Sequence, residues 1–87
     1  MDSDMAYQLS RHAAHVAAER GIRREWIEQT LAHPQRVEPD AEDATLFHAL
    51  AVIEAFEDRV LRVIYNQKHD PWIVVTVYFD RGMKGRL

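Results

Sequence analysis

The sequence predicts an α+β domain: two N-terminal helices packed on one face of a three-stranded antiparallel β-meander. Three observations predict it. β-Branched and aromatic residues dominate Val60–Tyr65 and Trp72–Phe79, and such side chains fit a pleated surface better than a helix. Two stretches free of Gly and Pro come earlier, one stopping at Gly21 and one at Pro34. All helix patterns precede all strong strand patterns, so the two classes of element segregate.

Met1 to Leu9 has no clear period and is expected to fray. Ser10 is a good N-cap, and R-H-A-A-H-V-A-A-E-R follows it up to Gly21. The first helix is therefore Arg11–Arg20, with Ala13, Val16 and Ala17 as its buried stripe. Arg20 stands one turn on, where a cation complements the helix dipole. The second helix is Arg24–His33, with Ile27 and Leu31 as an i,i+4 apolar pair. The segment P-Q-R-V-E-P-D-A-E-D reads as an extended, acidic surface connection. Thr45–Phe56 allows a helix by length and alanine content. A strand fits it better, because Glu57-Asp58 leads at once into a strong strand, as in a hairpin.

The last two strands are separated by Asn66–Pro71, polar or turn-forming throughout. Alternation gives each strand two faces. Leu61, Val63 and Tyr65 share one face, as do Ile73, Val75, Val77 and Phe79 on the next strand. The expected core is Ala13, Val16, Ala17, Ile27, Leu31, Leu61, Val63, Val75, Val77 and Phe79. Arg62, Thr76 and Tyr78 fall on the opposite face with Val60, Ile64 and Val74. Gly-Met-Lys-Gly-Arg-Leu closes the chain as a basic tail over 82–87.

Eighty-seven residues suit a single domain, 1–87, with a small core. The absence of cysteine excludes disulfides and thiolate metal sites and suits a reducing cytoplasm. The N-terminus has no apolar signal-peptide core, and no run approaches a membrane span. A net charge of −3 argues only weakly against a nucleic-acid binder. The charge is unevenly spread. Residues 37–58 carry seven acids and no Lys or Arg. Residues 59–87 carry six Lys/Arg and two Asp, a local +4.

Arg62 lies mid-strand between Leu61 and Val63; fully buried it would need a partner, so it is expected on the open, exposed face. With Thr76, Tyr78 and Arg81, and Lys84 beyond the strand end, it makes a face suited to phosphate. The structural alternative is an ordinary exposed face whose apolar neighbours the Arg62 stem covers. His12, His15 and Glu19 at i, i+3 and i+7 share one side of the first helix. Solvent exposure explains them more simply than zinc or nickel binding, so neither a metal nor any other cofactor is expected. His12 alone could serve as a general acid or base, or donate to a backbone carbonyl. His48 is a weaker candidate.

Several stretches together resemble one family. Ser10–Ile22, S-R-H-A-A-H-V-A-A-E-R-G-I, resembles the opening signature of the domain of unknown function 4258 family, Ser/Thr-x-His-Ala-x-x-Arg-x-x-x-Arg-Gly-Ile. L-A-H-P-Q-R-V-E-P-D resembles the helix end and following His-Pro of that family. R-V-L-R-V-I-Y-N and V-V-T-V-Y-F-D-R resemble its last two strands. The resemblance spans Leu9–Leu87. One departure is that the pattern's first Arg falls at Val16 here, with His15 beside it, so any role of that Arg is open. Length and element order are also similar to the RelE-like and BrnT-like ribonucleases of bacterial toxin–antitoxin pairs. Those cut RNA from the open face of an antiparallel sheet.

Two functions follow. The first, implied by that likeness, is a toxin-like, metal-independent endoribonuclease neutralised by a cognate antitoxin protein. Its catalytic set would be His12, Arg62 and Tyr78, with Thr76, Arg81 and Lys84 holding RNA phosphate. The second is a non-catalytic phosphate-binding or protein-interaction domain of the same fold. No membrane partner is expected, and the oligomeric state is left open.

Overall fold

A computed structural model describes residues 6–87. The chain runs β1 (Tyr7–Leu9), α1 (Arg11–Arg20), α2 (Arg24–Ala32), β2 (Arg36–Pro39), β3 (Phe47–Ile53), β4 (Arg59–Asn66) and β5 (Trp72–Phe79). Short 3-10 turns follow β3 at Glu54–Phe56 and β5 at Arg81–Met83. The two helices fall where the Gly21 and Pro34 breaks put them, and Thr45–Phe56 contributes a strand.

The three-stranded meander is corrected. The described residues form a five-stranded mixed sheet in the order β1-β5-β4-β3-β2. The meander β3-β4-β5 is its centre, antiparallel throughout. Two edge strands extend it. β1 pairs parallel with β5, Tyr7 opposite Trp72 and Leu9 opposite Val74. β2 pairs antiparallel with β3. Neither edge announces itself in the sequence, for physical reasons. β1 is three residues long, too short to show a period. β2 is R-V-E-P, polar and ended by a proline that only an edge tolerates. Tyr7–Leu9, expected to fray, is thus held in the sheet. Met1 to Met5, expected to fray with them, lie outside the described residues.

Both helices cover one face of the sheet. Ala13, Val16, Ala17, Ile27 and Leu31 pack there with Ala49, Ile53, Leu61, Val63, Tyr65, Val74 and Val77. Two core expectations change. Val75 is only half-buried and Val74 is fully buried, while Phe79 packs partly buried at the edge of the core. The cause is a register shift at Ile64/Tyr65: Ile64 faces Thr76, but Tyr65 faces Val74. Val75 has no cross-strand partner, as in a β-bulge, so alternation changes phase there.

α1 is tied to β5 at both ends. The Ser10 hydroxyl accepts from the Ala13 N–H at 3.0 Å and donates to the Val75 carbonyl at 3.2 Å. Arg20 Nη1 donates to the Val77 carbonyl at 2.9 Å. β1 pairs only with Trp72–Val74, so these side chains satisfy carbonyls beyond its reach. Gly21, at φ 67°, supplies the left-handed residue that ends the helix.

Candidate functional site

The sheet face away from the helices carries a polar network built by register. Cross-strand partners share a face, and the pairs Glu38–His48, Leu50–Arg62, Arg62–Tyr78 and Ile64–Thr76 all lie on this one. Arg62 is its hub, its side chain only 11 % exposed. Its Nε donates to Asp80 Oδ2 at 2.9 Å, and its Nη2 stands 2.8 Å from the same oxygen. Nη1 donates to Glu38 Oε1 at 3.2 Å and lies 2.8 Å from His48 Nδ1. His48 Nε2 then lies 2.7 Å from Asp40 Oδ1.

The outer members reach into the backbone. Asp40 Oδ2 accepts from the Glu42 and Asp43 N–H groups at 3.1 and 2.9 Å, fixing the β2–β3 connection. Asp80 Oδ1 accepts the Gly82 N–H at 3.0 Å and caps the last 3-10 turn. The chain Asp40–His48–Arg62–Asp80 therefore joins an acidic loop to the C-terminal turn across three strands.

The charges respond accordingly. Hydrogen bonding to His48, with the Asp43 and Glu42 amides, lowers the Asp40 pKa to about 2. Burial works against the Arg62 cation, but hydrogen bonds to Asp80 and Glu38 outweigh it, and its pKa is raised.

Beside this network lies a recess of about 210 Å³ lined by Arg59, Val60, Phe79, Asp80, Arg81 and Lys84. Three cations surround it. Its single carboxylate among the described residues, Asp80, is already engaged by Arg62 and the Gly82 amide. Arg59 pairs with Glu57 at 3.4 Å and lies over the Phe56 ring at 4.6 Å. Arg81 and Lys84 make no ion pair among the described residues.

The residues singled out from the sequence thus divide. Arg62, Thr76 and Tyr78 share the open face, and Arg81 and Lys84 share the adjoining recess. His12 does not join them. It is exposed on α1, in the layer on the other side of the sheet. His15 and Glu19, 3.9 Å apart, are exposed on the same helix. Among the described residues, no group of three or more His, Cys, Asp or Glu is arranged to hold a metal ion. No helix of the described residues is long and apolar enough to cross a membrane. Glu38, Asp40, Arg59 and Asp80 entered the site only through the structure. Glu38 meets His48 through β2 pairing, and the polar R-V-E-P of β2 carries no strand signal.

A family model described as Domain of unknown function (DUF4258) matches residues 9–79. The chain belongs to that family. No curated protein and no solved structure matches it. The match begins just before the Ser10 cap of the DUF4258 domain and ends with β5. Within it, Ser10, Arg20 and Gly21 have structural duties, holding α1 on the sheet. The Arg62 network lies inside the matched span except for Asp80, the first residue beyond it. The basic recess draws Arg81 and Lys84 from beyond it as well.

Proposed function

We propose that this DUF4258 domain is a non-catalytic binding module for a phosphate-bearing ligand, seated between Arg59, Arg81 and Lys84. One observation carries the reading: three cations line a recess whose only carboxylate among the described residues is neutralised from within the protein. Arginine offers a fork to phosphate oxygens and lysine a point charge, so the trio suits a phosphate group. The network behind it acts as a scaffold, with Asp80 holding the C-terminal turn that presents Arg81 and Lys84.

A second reading, metal-independent RNA cleavage by a toxin-like enzyme held in check by a cognate antitoxin protein, has one observation in its favour. Arg62, Tyr78, Thr76 and His48 share the open face. Against it, both ring nitrogens of His48 are engaged and Arg62 contacts three partners. Proton transfer there would first have to break the network. His12, on the far side of the sheet, cannot assist.

The test is calorimetric titration with inorganic tripolyphosphate at low salt. Binding is expected, weakened several-fold by Arg81→Ala or Lys84→Ala and falling as salt rises. No binding by the wild-type domain would overturn the proposal. Cleavage of an RNA oligonucleotide, abolished by Tyr78→Phe, would favour the second reading instead.

A further inference from the structure

The basic recess adjoins an aromatic cluster. Trp26 of α2 and Phe56 of the turn after β3 stack at 5.5 Å between centroids, 23° apart in plane. Phe56 lies 5.0 Å from Phe79, which itself lines the basic recess. All three rings are partly buried against the core, so each keeps some surface in water. Trp26 and Phe56 also line a second recess with Arg23, Glu25 and Ala55.

Two arginines cover these rings. The Arg23 guanidinium lies 5.8 Å from the Trp26 centroid, and that of Arg59 lies 4.6 Å from Phe56. Each arginine's charge partner is an exposed neighbour, Glu25 for Arg23 and Glu57 for Arg59. Exposed pairs of this kind are weak and screened by salt. A planar guanidinium over an aromatic ring occupies the space that another flat group would take. An arriving phosphate would draw the arginine to its oxygens and open the ring surface beside it.

We infer that the ligand is single-stranded nucleic acid, with phosphate between Arg59, Arg81 and Lys84 and a neighbouring base against Trp26 and Phe56. This rests on the reading of the basic recess as a phosphate seat. Cations that follow a backbone, beside aromatic rings that stack bases, are what strand binding without sequence readout requires. A paired base is already stacked inside its helix and has no face to offer, so the site selects single strands.

The experiment uses the full chain carrying Trp72→Phe, which leaves Trp26 as the only tryptophan and keeps an aromatic ring beside Tyr65. Three probes are titrated: a hexamer of adenosine ribonucleotides, a duplex of the same length, and inorganic tripolyphosphate. The hexamer should quench Trp26 fluorescence. Tripolyphosphate should compete with it without quenching, and the duplex should bind at least several-fold more weakly. Read by calorimetry, adding Trp26→Leu should weaken the hexamer about 10-fold, the scale of one lost stacking partner, and leave tripolyphosphate affinity unchanged. That unchanged affinity also shows that the variant folds. If hexamer and tripolyphosphate bind equally and Trp26 does not respond, the base site is overturned while the phosphate seat stands. A duplex that binds as tightly as the single strand overturns it too. If no probe binds, both readings fall.

Discussion

Arg62 Nη1 lies 2.8 Å from His48 Nδ1. A guanidinium has only donors, so Nδ1 must accept, and the His48 ring proton sits on Nε2. Nε2 then donates to Asp40 Oδ1 at 2.7 Å. The network thus has one consistent proton arrangement, running from Arg62 through a neutral imidazole to a carboxylate. Long-range nitrogen–proton correlation spectra at neutral pH should show the Nε2–H form of His48. A predominantly Nδ1–H signal would contradict the arrangement.

Arg62→Ala should destabilise the domain by about 2–4 kcal/mol, because the carboxylate of Asp80 and the ring of His48 lose their partner in a poorly hydrated place. Glu38 adds little, since its side chain is 42 % exposed and water can replace the contact. Arg62→Lys should recover less than half, because an ammonium cannot present Nε, Nη1 and Nη2 in one plane. Urea denaturation measures both. A loss for Arg62→Ala below about 0.5 kcal/mol would mean that the network is not structural.

Asp40 gives the acid dependence. Its folded pKa, about 2, lies below its ordinary value of 3.8. A depressed carboxylate contributes stability that is fully present above the unfolded value and lost as pH falls through the folded one. The contribution should therefore disappear between about pH 4 and pH 2. Asp40→Asn should remove that part of the acid sensitivity, seen as a flatter thermal midpoint against pH. An unchanged profile would show that Asp40 is not held as described.

Val74 and Val75 test where the sequence pattern changes phase. Val74 is fully buried, whereas Val75 is half-buried at the bulge. Val74→Ala should cost about 1–3 kcal/mol, and Val75→Ala under about 1, with two methyls removed in each. Equal costs in urea denaturation would argue against the bulge.

The same pair shows what was legible in the sequence. Both helices and the three central strands followed from Ser10, Gly21, Pro34 and the β-branched runs, because those signals are local. The Val74/Val75 phase was not legible, since strict alternation contains no mark for a bulge. Arg62 stood out as a lone cation within a strand, and its face was right. Its partners were not foreseeable, because Glu38 arrives through an edge strand too short and polar to recognise, and Asp80 through the turn after β5. Arg81 and Lys84 were legible as charge. Arg59 was not, because its place in the recess depends on how β4 starts beside that turn.

Arg20 supplies the final prediction. Its Nη1 donates to the Val77 carbonyl at 2.9 Å, on a part of β5 that β1 is too short to cover. The bond joins the C-terminal end of α1 to the sheet, as Ser10 joins the N-terminal end. Arg20→Met keeps a long apolar stem and removes the donor, so packing changes little while the carbonyl loses its partner. The cost should be about 1–2 kcal/mol, that of a charge-assisted bond to a partly buried acceptor. Arg20→Lys should fall between the two, because an ammonium can reach a carbonyl without the guanidinium's fixed plane. Amide hydrogen exchange adds a local readout: protection in α1 should fall more than in β4. A uniform loss across both elements would place the effect in overall stability rather than in the tie between α1 and β5. No loss at all would mean that Ala13, Val16 and Ala17 hold the helix by packing alone.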